Sequence, residues 1–131
     1  MEQTKFTFWK KVDLTFDQAI ERATEELQKE GFGIITQVDI TGTMKNKLGI
    51  DFKPYRILGA CNPGYAHKVL SQEEQIGVLL PCNFVVYVND AQETIVAAVN
   101  PLETMKAVDN PNLADIALQV QEKIKNALAG I

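Results

Sequence analysis

Two amphipathic helical stripes bracket a middle that is β-prone, and this arrangement narrows the available folds more than any other feature of the chain. The first stripe is Phe16, Ala19, Ile20, Ala23 and Leu27; the second is Leu113, Ile116, Ala117, Val120, Ile124 and Leu128. Both repeat at helical spacing, so each predicts a helix with one apolar face that must be buried. Five β-prone runs accompany them: Lys5–Val12, Phe32–Ile40, Tyr55–Cys61, Phe84–Val88 and Thr94–Val99. A sheet is the simplest surface on which two such helices can both be buried. The pattern therefore predicts an α+β fold, a mostly antiparallel sheet packed by two long amphipathic helices, with short extra helical turns.

Local signals sharpen this reading. Thr15 and Gln18 form a capping-box pattern at the start of the first helix, Glu25 and Lys29 an i,i+4 ion pair, and Gly31 a left-handed stop. In the first strand Phe6, Phe8 and Val12 share a side, but Lys10 falls on that apolar parity and Trp9 on the polar one. The strand end is therefore expected to twist or to lie at an edge. Phe32, Ile34, Thr36, Val38 and Ile40 share one parity in the second strand, and Thr41–Leu48 reads as a short helical turn closed by Gly49. Asn62 and Pro63 suit the cap and first residue of a short helix through Leu70, and Ser71 with Glu74 repeats the capping-box spacing. Asn89-Asp90-Ala91-Gln92 joins the last two strands as a hairpin. Asn100-Pro101 ends the last of them, and a loop containing Asn110-Pro111 leads to the final helix, with Asn112 as its N-cap. Ile35, Ile57, Val85 and Val99 remain for the second face of the sheet. That face is too apolar to be left to water, so a second subunit or the short middle helices must cover it.

At 131 residues the chain is read as one domain, 1–131. A net charge of −4 and a pI near 5.0 argue against nucleic-acid binding, which needs clustered Lys and Arg. No apolar run approaches the ~20 residues of a membrane span, and Met1–Trp9 lacks the apolar core of a signal peptide. Two cysteines in a chain able to build its own core point to reduced thiols in a cytoplasm.

Chemistry concentrates in two matching signatures, Cys61-Asn62-Pro63 and Pro81-Cys82-Asn83, each following an apolar run. Cys61 precedes a helix start, where free amides stabilise a thiolate; it is equally well suited to packing as a small hydrophobe. Twenty residues separate Cys82 from Cys61, and a hairpin-like return could bring the two thiols close. The pair lacks the two-residue spacing of thioredoxin motifs. His67, with both cysteines, makes three ligands for an open zinc site, but it stands six residues from Cys61 with no fourth ligand, so no metal site is expected. Asn62 and Asn83 carry amides able to grip a carbonyl, though capping and turn formation explain both. Tyr55, Arg56 and Lys47 are candidate contacts for an anion or phenol, and Arg56 inside a strand needs a partner or an exit to water. No nucleophile elbow, phosphate loop or dinucleotide fingerprint occurs, and no cofactor is indicated.

The run Tyr55–Pro63, the segment Leu79-Leu80-Pro81-Cys82-Asn83, and the tripeptides Gly31-Phe32-Gly33 and Lys47-Leu48-Gly49 resemble the prokaryotic family called domain of unknown function 302. The resemblance covers nearly the whole chain. It implies a TATA-binding-protein-like α+β fold of order β-α-β(4)-α and dimer formation, and it brings no biochemical activity. The expectation is a small-molecule or ion-binding domain acting as a homodimer, with Cys61, Asn62, Cys82 and Asn83 at its site and Tyr55, Arg56 and Lys47 nearby. The alternatives are a thiol-dependent redox protein or enzyme, with Cys61 as nucleophile and Cys82 as resolving thiol, and a structural module in which the signatures only shape turns.

Overall fold

The computed structural model describes all 131 residues. Six strands form one antiparallel sheet: β1 (Glu2–Gln3), β2 (Thr7–Val12), β3 (Gly33–Asp39), β4 (Tyr55–Cys61), β5 (Cys82–Val88) and β6 (Thr94–Val99), in the order β1-β2-β6-β5-β4-β3. The β5–β6 hairpin sits in the middle because its two runs are the most β-prone and are joined by a tight connection. Two long helices, α1 (Phe16–Lys29) and α5 (Ala114–Gly130), cover one face. Three shorter ones, α2 (Ile40–Leu48), α3 (Pro63–Gln72) and α4 (Pro101–Lys106), and two 3-10 turns at Glu74–Leu79 and Pro111–Leu113 complete the chain. With the short elements set aside, the order is β-α-β-β-β-β-α. No helix is long and apolar enough to cross a membrane.

The core is the covered face. Phe8, Leu58, Ala60, Phe84, Val86, Val96 and Ala98 project from four strands, and against them pack Ala19, Ala23 and Leu27 of α1 and Ile124, Ala127 and Leu128 of α5. Alanines on α1 and on the sheet let the helix approach closely while Leu27 and Phe84 fill the space between. Thr15 and Gln18 form the reciprocal cap expected of them, and Gly31 ends α1 at φ 84°, a backbone few other residues adopt.

Several expectations change on folding. Lys29 pairs with Glu26 at 2.7 Å, one residue closer than Glu25. Phe6 precedes β2 and is 65% exposed. Lys10 keeps its inward parity by running along the core to the last turn of α5, where Nζ donates to the Ala129 carbonyl at 3.4 Å, and Trp9 belongs to the outer face. That places a cation at the negative end of a helix dipole. A bulge between Ile34 and Thr36 breaks the parity of β3, so Ile34 faces the core while Thr36 and Val38 turn outward. Ser71 donates to the His67 carbonyl inside α3 and caps nothing. Asn110, not Asn112, accepts the capping hydrogen bond, from the Asn112 amide. The segment after Asn100 is helix α4, because the buried Asn100 caps it through the Leu102 amide and Pro101 fits its first turn.

Phe84 is fully buried at the centre of the core. Phe84→Ala should cost about 3–5 kcal/mol, read as a lower urea midpoint with an unchanged slope.

Candidate functional site

Beyond the ends of β4 and β5 the covering helices do not close over the sheet. Here α3, the Glu74–Leu79 turn, α4 and α5 surround a cavity of about 350 Å³. Its floor is Ala60, Cys61 and Cys82 at the strand ends. Val69 and Leu70 of α3, Met105 of α4 and Ile116 and Val120 of α5 supply its apolar walls. Volume and lining both fall in the range of small-molecule sites.

The two signatures meet at this cavity. Cys82 opens β5 opposite Ala60, the residue before Cys61 at the end of β4, and both cysteines line this cavity. Both are free. Burial pushes the Cys82 thiol up to about 11, and the charge of a Cys61 thiolate beside it acts in the same direction. At neutral pH Cys82 is therefore a protonated, apolar-like group.

Asn62 has a structural task. Its Oδ1 accepts the Tyr65 amide at 3.5 Å, capping α3, and its Nδ2 donates to the Glu30 carbonyl at the end of α1, at 3.4 Å. A Cβ on Gly31 would lie 3.0 Å from that same Nδ2, which links the Gly31-Phe32-Gly33 signature to the cysteine one. Gly59 is constrained in a similar way: a Cβ there would meet Pro81 Cγ at 2.7 Å and Thr36 Cγ2 at 2.5 Å. Tyr65 Oη donates to Gln119 at 3.1 Å. Among the side chains lining the cavity, the thiols alone carry polar groups free of hydrogen bonds.

The other expected site residues lie elsewhere. Asn83 pairs with Gly59, is exposed, and belongs to the outer face of the sheet. Tyr55 starts β4, about 20 Å along the strand from Cys61, and stacks on Tyr87 with ring centroids 5.4 Å apart. Arg56 packs its guanidinium 5.7 Å from the Phe16 ring centroid and donates from Nη1 to Gln37 at 3.3 Å, leaving Nε buried without a partner. Lys47 is an exposed residue of α2; its neighbour Lys45 makes the local ion pair, with Asp51 at 3.0 Å. His67 faces solvent on α3 and does not line the cavity. No three His, Cys, Asp or Glu side chains converge as a metal-holding group. Tyr65, Val69, Leu80 and Met105, which do line the cavity, show no local pattern that separates them from ordinary core residues.

The family model described as "Domain of unknown function DUF302" matches residues 8–131. The chain belongs to that family. A crystal structure of an uncharacterized conserved DUF302 protein from Bacillus stearothermophilus is similar over 95% of this chain and 96% of its own, at 32% identity and a TM-score of 0.88. No curated protein matches the chain. Both cysteine signatures fall inside the matched region.

With Cys82 raised from 9.0 to about 11, its thiolate fraction at pH 8 falls about 100-fold. Alkylation of the Cys82 peptide by iodoacetamide, followed by mass mapping, should be slower by at least that factor than for an unhindered thiol. The rate should climb until about pH 11; a plateau near pH 9 would contradict burial as the cause.

Proposed function

We propose that this protein is a binding domain for a small, uncharged and largely apolar molecule, held in the cavity beside Cys61 and Cys82. The cavity itself carries this reading: about 350 Å³ walled by aliphatic and aromatic side chains, with only two thiols as free side-chain polar groups. A space of that size equals roughly twelve water molecules at ~30 Å³ each, and water there finds few hydrogen-bond partners. A charged ligand would lose its hydration without gaining a counter-charge, which selects against ions of either sign. Shape and apolar contact would supply the affinity, and the polarisable sulfurs a preference for soft or aromatic groups.

The thiol-dependent alternative draws on the same pair of cysteines but has less support. A resolving cysteine attacks as a thiolate, whereas Cys82 is held protonated by its burial.

Native mass spectrometry of gently purified protein, together with a titration of the apolar fluorophore N-phenyl-1-naphthylamine, tests the reading. A bound mass or a saturable one-to-one signal is expected. Ala66→Phe, which fills the cavity from α3, should abolish the signal with little change in melting temperature. A bare spectrum with no saturable probe binding overturns the proposal, and so does undiminished probe binding by the Ala66→Phe variant.

A further inference from the structure

A second recess lies at the other end of β4 from the cysteines, a groove of about 470 Å³ between α2, the 50–54 segment and the start of α1. Helix α2 buries none of its residues, so core burial does little to hold it. Thr41 ties it down instead. Its hydroxyl donates to the Lys53 carbonyl at 2.8 Å and accepts the Tyr55 amide at 2.9 Å, which fixes the helix to the segment that follows it.

Inside the groove two opposite charges face each other unpaired. Strand register sets Asp39 directly across from Arg56, a placement that favours an ion pair. None forms. Asp39 is committed to capping: its Oδ1 accepts the Gly42 amide at 3.0 Å at the start of α2, and its Oδ2 accepts nothing. Arg56 is left with few partners. Of the several donors of its guanidinium, one reaches an acceptor, the uncharged amide oxygen of Gln37 at 3.3 Å, and Nε is buried with none. The Phe16 ring, 5.7 Å away, supports the group but accepts no hydrogen bond from it. A cation partly cut off from water and lacking a counter-charge is costly. Lys45 and Asp51, on the same groove, satisfy each other at 3.0 Å. One guanidinium and one carboxylate oxygen therefore remain open, side by side.

We propose that this groove binds a free α-amino acid with an apolar side chain, its carboxylate on Arg56 and its ammonium on Asp39. The charges select a zwitterion. A simple anion would gain Arg56 but meet Asp39, and a simple cation the reverse. An α-amino acid carries both charges on neighbouring atoms of one carbon, which suits two groups facing each other across a single strand pair. Its carboxylate would take charge-assisted hydrogen bonds from the guanidinium. Ile50 and Phe52 specify the side chain. Both line the groove, at 46% and 38% exposure, and neither packs against a core cluster. This site is separate from the cavity beside the cysteines, and its ligand is charged where that cavity selects against charge.

Calorimetric titration with L-leucine and L-phenylalanine, with hydrogen exchange followed along α2, tests the assignment. Saturable one-to-one binding of at least one of them is expected, with slower exchange of the α2 amides. Leucine without its amine (4-methylpentanoate) or without its carboxylate (3-methylbutylamine) should bind at least about tenfold more weakly. Arg56→Gln should weaken binding by a similar factor. Asp39→Asn should do so too while leaving α2 intact, because Asn is an equally good N-cap, and it decides the matter if Arg56→Gln fails to fold. Ala66→Phe, which fills the other cavity, should leave amino-acid binding unchanged, so failure at one site is distinguishable from failure at the other. The absence of binding by both amino acids at millimolar concentration overturns the inference. So does 4-methylpentanoate binding as tightly as leucine, or amino-acid binding lost in Ala66→Phe.

Discussion

Burial of the α1 and α5 stripes against one face of the sheet is the interaction on which the rest of the molecule depends. Phe84, Leu58, Leu27, Ile124 and Leu128 are each fully buried there, at about 1.5–3 kcal/mol apiece relative to exposure. Against a net stability of about 5–15 kcal/mol for a typical domain, these few contacts decide whether the fold exists. They also settle which side of every strand is inside. Because side chains alternate strictly, the choice assigns Trp9, Tyr55, Ile57, Val85, Tyr87 and Ala97 to the outside together.

The cavity follows from the same packing by default. Helices α1 and α5 are matched to the middle of the sheet, and neither fills the corner beyond the first residues of β5. The chain closes that corner with α3, a 3-10 turn and α4, whose contributions are Val69, Leu80 and Met105. The family signatures hold this corner in shape. Asn62 ties the start of α3 to the end of α1, Gly31 leaves room for its amide, and Gly59 leaves room for Pro81 and Thr36. Most of the signature residues are thus scaffold, and the two thiols are what the scaffold presents.

Much of this was legible along the chain, for one reason: helical and strand periodicity are local. The Thr15 cap, the Gly31 stop, both long stripes and the β5–β6 hairpin each depend on residues within a few positions of one another. Expectations failed where a distant partner intervened. Lys10 on an apolar parity made sense only with the α5 terminus beside it. The bulge at Ile35 reversed the outer half of β3, and a periodicity argument cannot see an inserted residue in advance. Cys61, Asn62 and Cys82 do line one cavity, whereas Asn83 was grouped with them as the neighbour of Cys82, and Tyr55, Arg56 and Lys47 on the expectation that they lie at the same end of the sheet. Alternation sent Asn83 to the opposite face of the sheet, and strand length carried Tyr55 and Arg56 to its opposite end.

By itself, the sequence determined the class of fold, the order of its main strands and two long helices, and the two cysteine signatures, because propensity, capping and amphipathic spacing act over a turn of helix or a few strand residues. Only the tertiary structure decided the strand order, the placement of both cysteines at one apolar cavity, and the collection of nine residues from five strands on the face opposite the long helices. Those are products of register. Register is set when the whole sheet chooses its buried side, and no single segment encodes that choice.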